Sequence, residues 1–207
     1  MERGADYDRR WERMVAAGRS VHGEADFVVR FEPESVLDAG CGTGRVAIEL
    51  AAREIEVVGV DLDPKMLERA RAKAPSLTWI DGSVDDVSLA REFDVVVAAG
   101  NVMIFVAHGT ERAVVANLAR HLAPEGVLIA GFELGREYGL SRYDADCAAA
   151  GLVLVERYAT WEGAPWVPRS NYAVSVHRRT DRAEPRVEPR SNSGRPVSGG
   201  DPPPTRP

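Results

Sequence analysis

Residues 36–45 have the sequence VLDAGCGTGR, and this stretch decides the fold class of the chain. Apolar residues typical of a buried β-strand lead directly into three glycines, Gly40, Gly42 and Gly44. A glycine loop at the end of a strand lets the backbone approach a ligand, because there is no Cβ to collide with it. The dinucleotide fingerprint G-x-G-x-x-G would place a glycine at position 45, where the chain has Arg45. The stretch therefore predicts either a tight turn or a ligand loop, without the complete dinucleotide fingerprint.

Strand-like and helix-like patterns alternate around this loop as far as residue 132. Five strands are predicted, at residues 35–40, 56–61, 77–81, 93–100 and 127–132. Three helices lie between them, at residues 45–53, 64–73 and 110–124. This alternation is typical of crossover units and a parallel sheet, so the predicted fold class is α/β. Beyond residue 140, one helix and two strands, at 152–161 and 171–179, predict an antiparallel pair at the sheet edge.

Composition limits the classes of function that the chain can serve. Its 207 residues carry a net charge of −6, which argues against nonspecific nucleic-acid binding. The four histidines are far apart in sequence, so we expect no metal site. No apolar run is long enough for a membrane helix, and the charged first residues lack a secretory signal. With two cysteines, Cys41 and Cys147, the chain is expected to be cytoplasmic.

The sequence predicts three segments. Residues 180–207 contain seven of the thirteen prolines and few apolar residues, which predicts a disordered tail. Residues 1–31 carry too much apolar surface for a solvated leader. We expect them to form a helical lid or cap, with a fixed helical layer on the flank of the sheet as the alternative. Residues 32–179 form the main domain.

Asp61 strengthens the interpretation of the glycine loop as a ligand site. It ends the second predicted strand, whereas Asp63, followed by Pro64, is better placed to cap the next helix. Asp61 is therefore available to accept hydrogen bonds from the two hydroxyls of a ribose. A glycine loop and an acidic strand end together predict a ligand that contains adenosine.

The stretches VLDAGCGTG and VVGVDLDPKML resemble the class I S-adenosylmethionine-dependent methyltransferases. The resemblance implies a Rossmann-like, doubly wound sheet of seven strands, mostly parallel with an antiparallel last strand. It also implies S-adenosyl-L-methionine as the cofactor. The residues that it implies for cofactor binding are Asp38, Gly40, Gly42, Gly44, Asp61, Leu62, Met66, Ser83, Val84 and Gly100.

Ser83 departs from the family pattern. The resemblance implies an acidic residue there, in contact with the adenine amino group, and a serine hydroxyl is a weaker acceptor. Asp81 and Asp85 are nearby, but neither stands at the family position. The backbone amide of Val84 remains available for the adenine.

The resemblance implies methyl transfer by direct displacement, and the compact acidic chain favours a small-molecule acceptor. The stretch AGNVMIF has no proline, unlike the Asn-Pro-Pro-Tyr sequences of relatives that methylate nucleic-acid bases or glutamine. No catalytic residue is identified. His108 and His177 are expected at the surface, and His22 is a weaker candidate for the acceptor pocket. Asn101 is expected either to hold a polar acceptor group or to cap a turn.

Two other functions remain open at this point. An NAD(P)-dependent oxidoreductase would need the complete fingerprint and a substrate domain, and neither is visible. A non-catalytic S-adenosylmethionine-binding protein is supported only by Ser83. The sequence predicts no oligomeric state.

Overall fold

The computed structural model describes residues 22–180, together with Arg9, Arg13 and Ala16. The predicted tail, except for Thr180, lies outside these residues, as does most of the predicted lid before His22. Within the described part, no helix has both the length and the apolar character that a membrane span requires.

The described residues form a layered α/β domain whose elements follow the predicted order. Its strands are β1 Ser35–Ala39, β2 Glu56–Asp61, β3 Thr78–Asp81, β4 Phe93–Ala98, β5 Leu122–Glu133, β6 Leu152–Tyr158 and β7 Tyr172–Arg179. Its helices are α1 Gly23–Val28, α2 Arg45–Ala52, α3 Pro64–Lys73, α4 Val102–Phe105, α5 Glu111–Arg120 and α6 Leu140–Ala149. A short 3₁₀ turn, Val29–Phe31, links α1 to the segment before β1.

The strands form one sheet in the order β3-β2-β1-β4-β5-β7-β6. All neighbours from β3 to β5 are parallel, while β7 is antiparallel to both β5 and β6. The last strand thus inserts between β5 and β6, which confirms the predicted seven-stranded sheet with one antiparallel strand. The strand order reverses between β1 and β4, where open α/β sheets leave a crevice for ligands.

Alternate side chains of the strands supply two separate cores, one on each face of the sheet. One core packs under α4, α5 and α6 and includes Leu37, Val96 and Leu128. The other packs under α1, α2 and α3 and includes Val36 and Val95. Burial on both faces explains why inner strands such as β1 and β4 are almost continuously apolar.

Helix α5 ends earlier than the sequence pattern predicts. The pattern continues to residue 124, whereas the helix ends at Arg120. Leu122 is instead fully buried in the sheet and pairs with Phe93 of β4. His121 closes the helix: its Nδ1 lies 2.9 Å from the Asn117 carbonyl oxygen, and its Nε2 accepts the Leu89 amide at 3.1 Å. The carbonyl contact requires the proton on Nδ1, so His121 serves as a neutral structural residue.

His177 is buried, so its predicted surface position is wrong. Only 1% of the side chain is exposed, and its Nε2 lies 3.3 Å from Asp144 Oδ1 on α6. The ring of Tyr143 packs edge-on against it, with centroids 5.1 Å apart. Helix α6 covers this face of β7, which a pattern internal to the strand does not reveal.

Candidate functional site

A cavity of about 510 Å³ opens at the carboxyl ends of the parallel strands. Its wall is built from the loop after β1, the turns after β2 and β3, and the segment from β4 through the start of α5. Nine of the ten residues predicted to bind the cofactor line it: Asp38, Gly40, Gly42, Asp61, Leu62, Met66, Ser83, Val84 and Gly100. These residues come from four separate strand ends, and the crossover topology brings them together.

The glycine loop has an open inner surface at Gly42. The backbone there has φ +56°, and a Cβ built on it would meet no heavy atom within 4 Å. Its amide donates to Asp61 Oδ2 at 2.7 Å, so the loop is tied to the end of β2. Gly40 is required for a different reason, since a Cβ there would lie 2.5 Å from Val102 Cγ2.

Gly44 is the one predicted residue that does not line the cavity. It lies at the N-terminus of α2 with φ +81°, and a Cβ there would lie 2.5 Å from Trp79 Cη2. Gly59, in the middle of β2, would meet the same indole at 2.5 Å. Both glycines therefore make room for Trp79, whose Nε1 donates to the Ala74 carbonyl at 2.9 Å. The isolated glycine within strand β2 was the sequence signal for this close approach.

Asp38 lies at the floor of the cavity and is almost completely buried. Its Oδ2 accepts the Ala47 amide of α2 at 3.1 Å. Burial raises the pKa of Asp38 from 3.8 to about 7, while the Ala47 hydrogen bond and the nearby Arg45 oppose the rise. Asp38 thus connects β1 to the first turn of α2 beneath the glycine loop.

Asp61 already has one hydrogen-bond donor at each carboxylate oxygen. In addition to the Gly42 amide at Oδ2, Oδ1 accepts the Asp63 amide at 2.8 Å. A carboxylate accepts about four hydrogen bonds, so two sites remain for a ligand. The predicted role of Asp63 as the cap of α3 is confirmed, because its Oδ1 accepts the Lys65 amide at 2.9 Å.

The turn after β3 brings Asp85 to the cavity beside Ser83 and Val84. Asp85 Oδ1 is buried and has no hydrogen-bond partner among the described residues. Sequence reasoning noted this carboxylate but excluded it from the site. Side-chain direction within a turn does not follow a simple period, so the orientation of this carboxylate could not be predicted from the sequence.

The charges around the cavity are mainly negative. Among the described residues, four aspartates line it, Asp38, Asp61, Asp63 and Asp85, with one cationic side chain, Arg45. Arg45 forms a two-bonded ion pair with Glu24 of α1, and each side chain is only 12% exposed. Glu24 balances the charge of Arg45, so the carboxylates of Asp61, Asp63 and Asp85 favour a cationic ligand, and Asp38, whose pKa is raised to about 7, contributes less negative charge.

Cys41 also lines the cavity, but it is an unreactive thiol. Burial raises the pKa of Cys41 far above its usual range, and the carboxylates of Asp38 and Asp61 raise it further. A protonated thiol is a poor nucleophile. Cys41 therefore serves as a small packing residue.

The segment after β4 forms the remaining wall. Phe105 lines the cavity with 77% of its side chain exposed, whereas Met103 is buried beneath the segment. Asn101 has φ +72°, and its Oδ1 accepts the Glu133 amide at 2.8 Å. That bond ties the end of β4 to the end of β5, so Asn101 serves the turn.

Neither candidate histidine lines this cavity. His108 is 70% exposed and lies near two carboxylates, Glu111 at 3.9 Å and Glu137 at 3.6 Å. His22 lies before α1, with its Nδ1 3.2 Å from Glu49 Oε2 on α2. Across the described ranges, no group of histidine, cysteine and carboxylate side chains is arranged to hold a metal ion.

Known proteins resemble this chain along most of the described domain. A sequence profile described as a methyltransferase domain matches residues 36–126. The crystal structure of a TehB-like SAM-dependent methyltransferase from Corynebacterium glutamicum superposes with a TM-score of 0.80 and 32% identity. That match covers 86% of this chain and 98% of the other.

Two curated relatives match a shorter region. A dTDP-4-amino-2,3,4,6-tetradeoxy-D-glucose N,N-dimethyltransferase of Saccharopolyspora spinosa is 33% identical over 121 residues, which is 55% of this chain and 49% of the relative. A dTDP-3-amino-3,4,6-trideoxy-alpha-D-glucopyranose N,N-dimethyltransferase of Streptomyces venezuelae is 34% identical over 108 residues, or 51% and 46%. The matched region thus spans about half the length of each of these relatives.

Proposed function

This chain belongs to the class I S-adenosylmethionine-dependent methyltransferases, and we propose that it catalyses methyl transfer from S-adenosylmethionine to a small-molecule acceptor. The observation that carries the proposal is the single cavity shared by the glycine loop, Asp61 and the turn after β3. An oxidoreductase would need a nicotinamide fingerprint that Arg45 interrupts.

The residues of the cavity fit the parts of S-adenosylmethionine. Gly42 offers open space and a backbone that a side chain would obstruct, which suits the methionine portion. Asp61 keeps free acceptor sites for the ribose hydroxyls. Leu62 and Met66 add apolar surface along the cavity wall. When bound, S-adenosylmethionine supplies an electrophilic methyl group on a positively charged sulfur.

The contribution of the chain to the reaction is alignment and electrostatics. Direct displacement requires the acceptor atom to lie in line with the breaking bond, and fixed orientation can supply much of the rate. Gly100 and Val102 begin the cavity wall that extends to Phe105, and this wall offers the acceptor an apolar contact surface. The aspartates favour binding of a positively charged cosubstrate over its neutral product.

We propose that the methyl acceptor is a small molecule. The two curated relatives are named as methyltransferases of amino sugars linked to dTDP, which makes a sugar amine the first acceptor to test. The net charge of −6 gives no support for a nucleic-acid acceptor. We also propose a cytoplasmic location, supported by the two buried free thiols, Cys41 and Cys147.

We propose further that residues 1–31 form a cap over the acceptor side. The support is the Glu24–Arg45 ion pair, which joins α1 to a residue that lines the cavity. Phe27 also anchors α1, packing edge-on against Tyr158 and Trp161 at centroid distances of 5.4 and 5.6 Å. A segment held at these points can exclude water from the cavity once a ligand is bound.

Two measurements test the proposed function. Calorimetric titration should show binding of S-adenosylhomocysteine and none of NADH. Incubation with methyl-labelled S-adenosylmethionine and a panel of amino sugars and other small metabolites should then release S-adenosylhomocysteine and label an acceptor. Binding without turnover on any acceptor would favour a non-catalytic binding protein, and NADH binding alone would contradict the proposal.

A further inference from the structure

Strand β6 forms an edge of the sheet and carries exposed apolar side chains. β7 pairs with one side of it, and within the described chain the other side is paired only at Tyr158, with Pro165. Three consecutive side chains in the middle of the strand, Val153, Leu154 and Val155, are 47%, 44% and 42% exposed. Native proteins protect such edges with charges, prolines or a covering element, because unpaired amides and carbonyls can pair with another strand. This edge therefore has the character of an interaction surface.

The composition of the chain limits what can cover this edge. Residues 181–207 continue from Thr180, whose amide donates to the Gly151 carbonyl at 3.2 Å beside the start of β6. Besides seven prolines, their apolar residues are two valines and one alanine. Proline has no amide to donate to a neighbouring strand, and few apolar side chains are available to cover the exposed ones. A second copy of β6 supplies both the amides and the apolar side chains.

A bulge in β6 makes the strand complementary to itself. Val153 lies opposite Arg178 of β7 and Glu156 lies opposite Val176, with a shift in register between the two pairs. Arg178 and Val176 are two residues apart in their strand, so Val153 and Glu156 lie on the same face of the sheet. A second β6, antiparallel and related by a two-fold axis at the bulge, can therefore place its Glu156 opposite Val153 with both side chains on one face. The apolar side chains of the two bulges then meet at the axis.

The charges beside the bulge are complementary across this pairing. Glu156 of one copy lies two strands away from Arg178 of the other, about 10 Å between backbones, which the two side chains can span. Both side chains are exposed. Arg178 Nη1 lies 3.7 Å from Glu125 Oε2, and Glu156 Oε2 accepts the Tyr158 hydroxyl at 2.8 Å, which leaves Oε1 of Glu156 for the second copy. Two-fold symmetry makes the contact twice.

We propose that β6 is the interface of a two-fold symmetric dimer, in which antiparallel β6 strands join the sheets of two copies edge to edge. Among the described residues, none that lines the cavity belongs to β6 or β7, so the dimer leaves the cavity open and does not depend on the proposed function. One short strand from each copy buries a small area. The dissociation constant is therefore expected to be on the order of 10 µM.

Sedimentation velocity tests the dimer at concentrations from about tenfold below to about tenfold above this value. The unmodified protein should convert from monomer to dimer over this range. Val155→Lys places a charge at the two-fold axis and should weaken association at least about tenfold. Glu156→Arg and Arg178→Glu each place like charges at both contacts, so each should weaken self-association about tenfold. An equimolar mixture of these two variants restores opposite charges at both contacts and should form heterodimers about as well as the unmodified protein dimerises.

Glu68→Arg is the matched control, because it makes the same change of charge at an exposed position on α3. It should dimerise like the unmodified protein. Recovery in the mixture requires both variants to be folded, so their loss of self-association is separated from misfolding. An unmodified protein that stays monomeric over the whole range would overturn the proposal. A mixture that associates no better than its components, or a dimer that persists in Val155→Lys, would overturn it as well.

Discussion

Replacing Asp38 with asparagine should change how the stability of the protein depends on pH. The pKa of Asp38 rises from 3.8 to about 7 in the folded protein because the side chain is buried. Its ionised form is thereby disfavoured by about 4 kcal/mol on folding. The folded protein retains a proton that the unfolded chain releases, so this cost is absent below about pH 4. It grows as the pH rises and is complete above about pH 7.

Asparagine has the same shape and keeps an oxygen to accept the Ala47 amide, but it has no charge to bury. About 2–3 kcal/mol of the cost develops between pH 5 and pH 8. The free energy of unfolding of Asp38→Asn, measured in urea, should therefore rise by that amount relative to the unmodified protein over this range. Asp86→Asn, at an exposed position beside the site, is the control and should run parallel to the unmodified protein. If Asp38→Asn also runs parallel, Asp38 does not carry the perturbed proton.

Three further experiments test the glycine loop, the packing around Trp79 and the proposed cap. Asp61→Ala should weaken S-adenosylhomocysteine binding at least about tenfold in calorimetry. The substitution removes the hydrogen-bond partner of the Gly42 amide and an acceptor for the ribose hydroxyls. An unchanged affinity would show that Asp61 is not part of the binding site. Gly59→Ala should lower the free energy of unfolding by about 1–3 kcal/mol, since its Cβ would lie 2.5 Å from the Trp79 ring. Gly139→Ala is the control and should change the free energy of unfolding little, because a Cβ there would meet no heavy atom within 4 Å. Equal effects of the two substitutions would contradict this account of the packing around Trp79. The amides of α1, whose Ala25, Phe27 and Val28 are buried, should exchange slowly with and without S-adenosylhomocysteine, whereas amides earlier in residues 5–31 should gain protection when it binds if the segment is a cap; no gain in protection would favour a fixed helical layer.

The arrangement of the strands followed from the sequence because it depends on local signals. Apolar runs separated by helical spacing define crossover units, and right-handed crossovers restrict the possible sheets. The cap of α3 at Asp63 was predictable for the same reason, since the aspartate and the following proline are adjacent. The cluster of site residues also followed, because parallel strands end at one edge of the sheet.

Contacts between distant residues could not be predicted in this way. The Glu24–Arg45 pair joins α1 to α2, and nothing in either stretch of sequence selects the partner. His177 is buried because α6 happens to cover that face of β7. Asp85 was close to the predicted site in sequence, but its place in the cavity wall follows from the folded turn after β3. In each case the decisive information is a tertiary neighbour.

The position of β7 has a consequence for biosynthesis. β7 pairs with both β5 and β6, so β6 cannot join the sheet before β7 has been synthesised. Residues 134–171 separate β5 from β7, and a ribosome needs about 2–8 s to add them at roughly 5–20 residues per second. During that interval the outer edge of β5 has no partner strand, which makes the nascent chain vulnerable to pairing with other chains. The sheet can therefore be completed only after β7, the last strand of the domain, has left the ribosome.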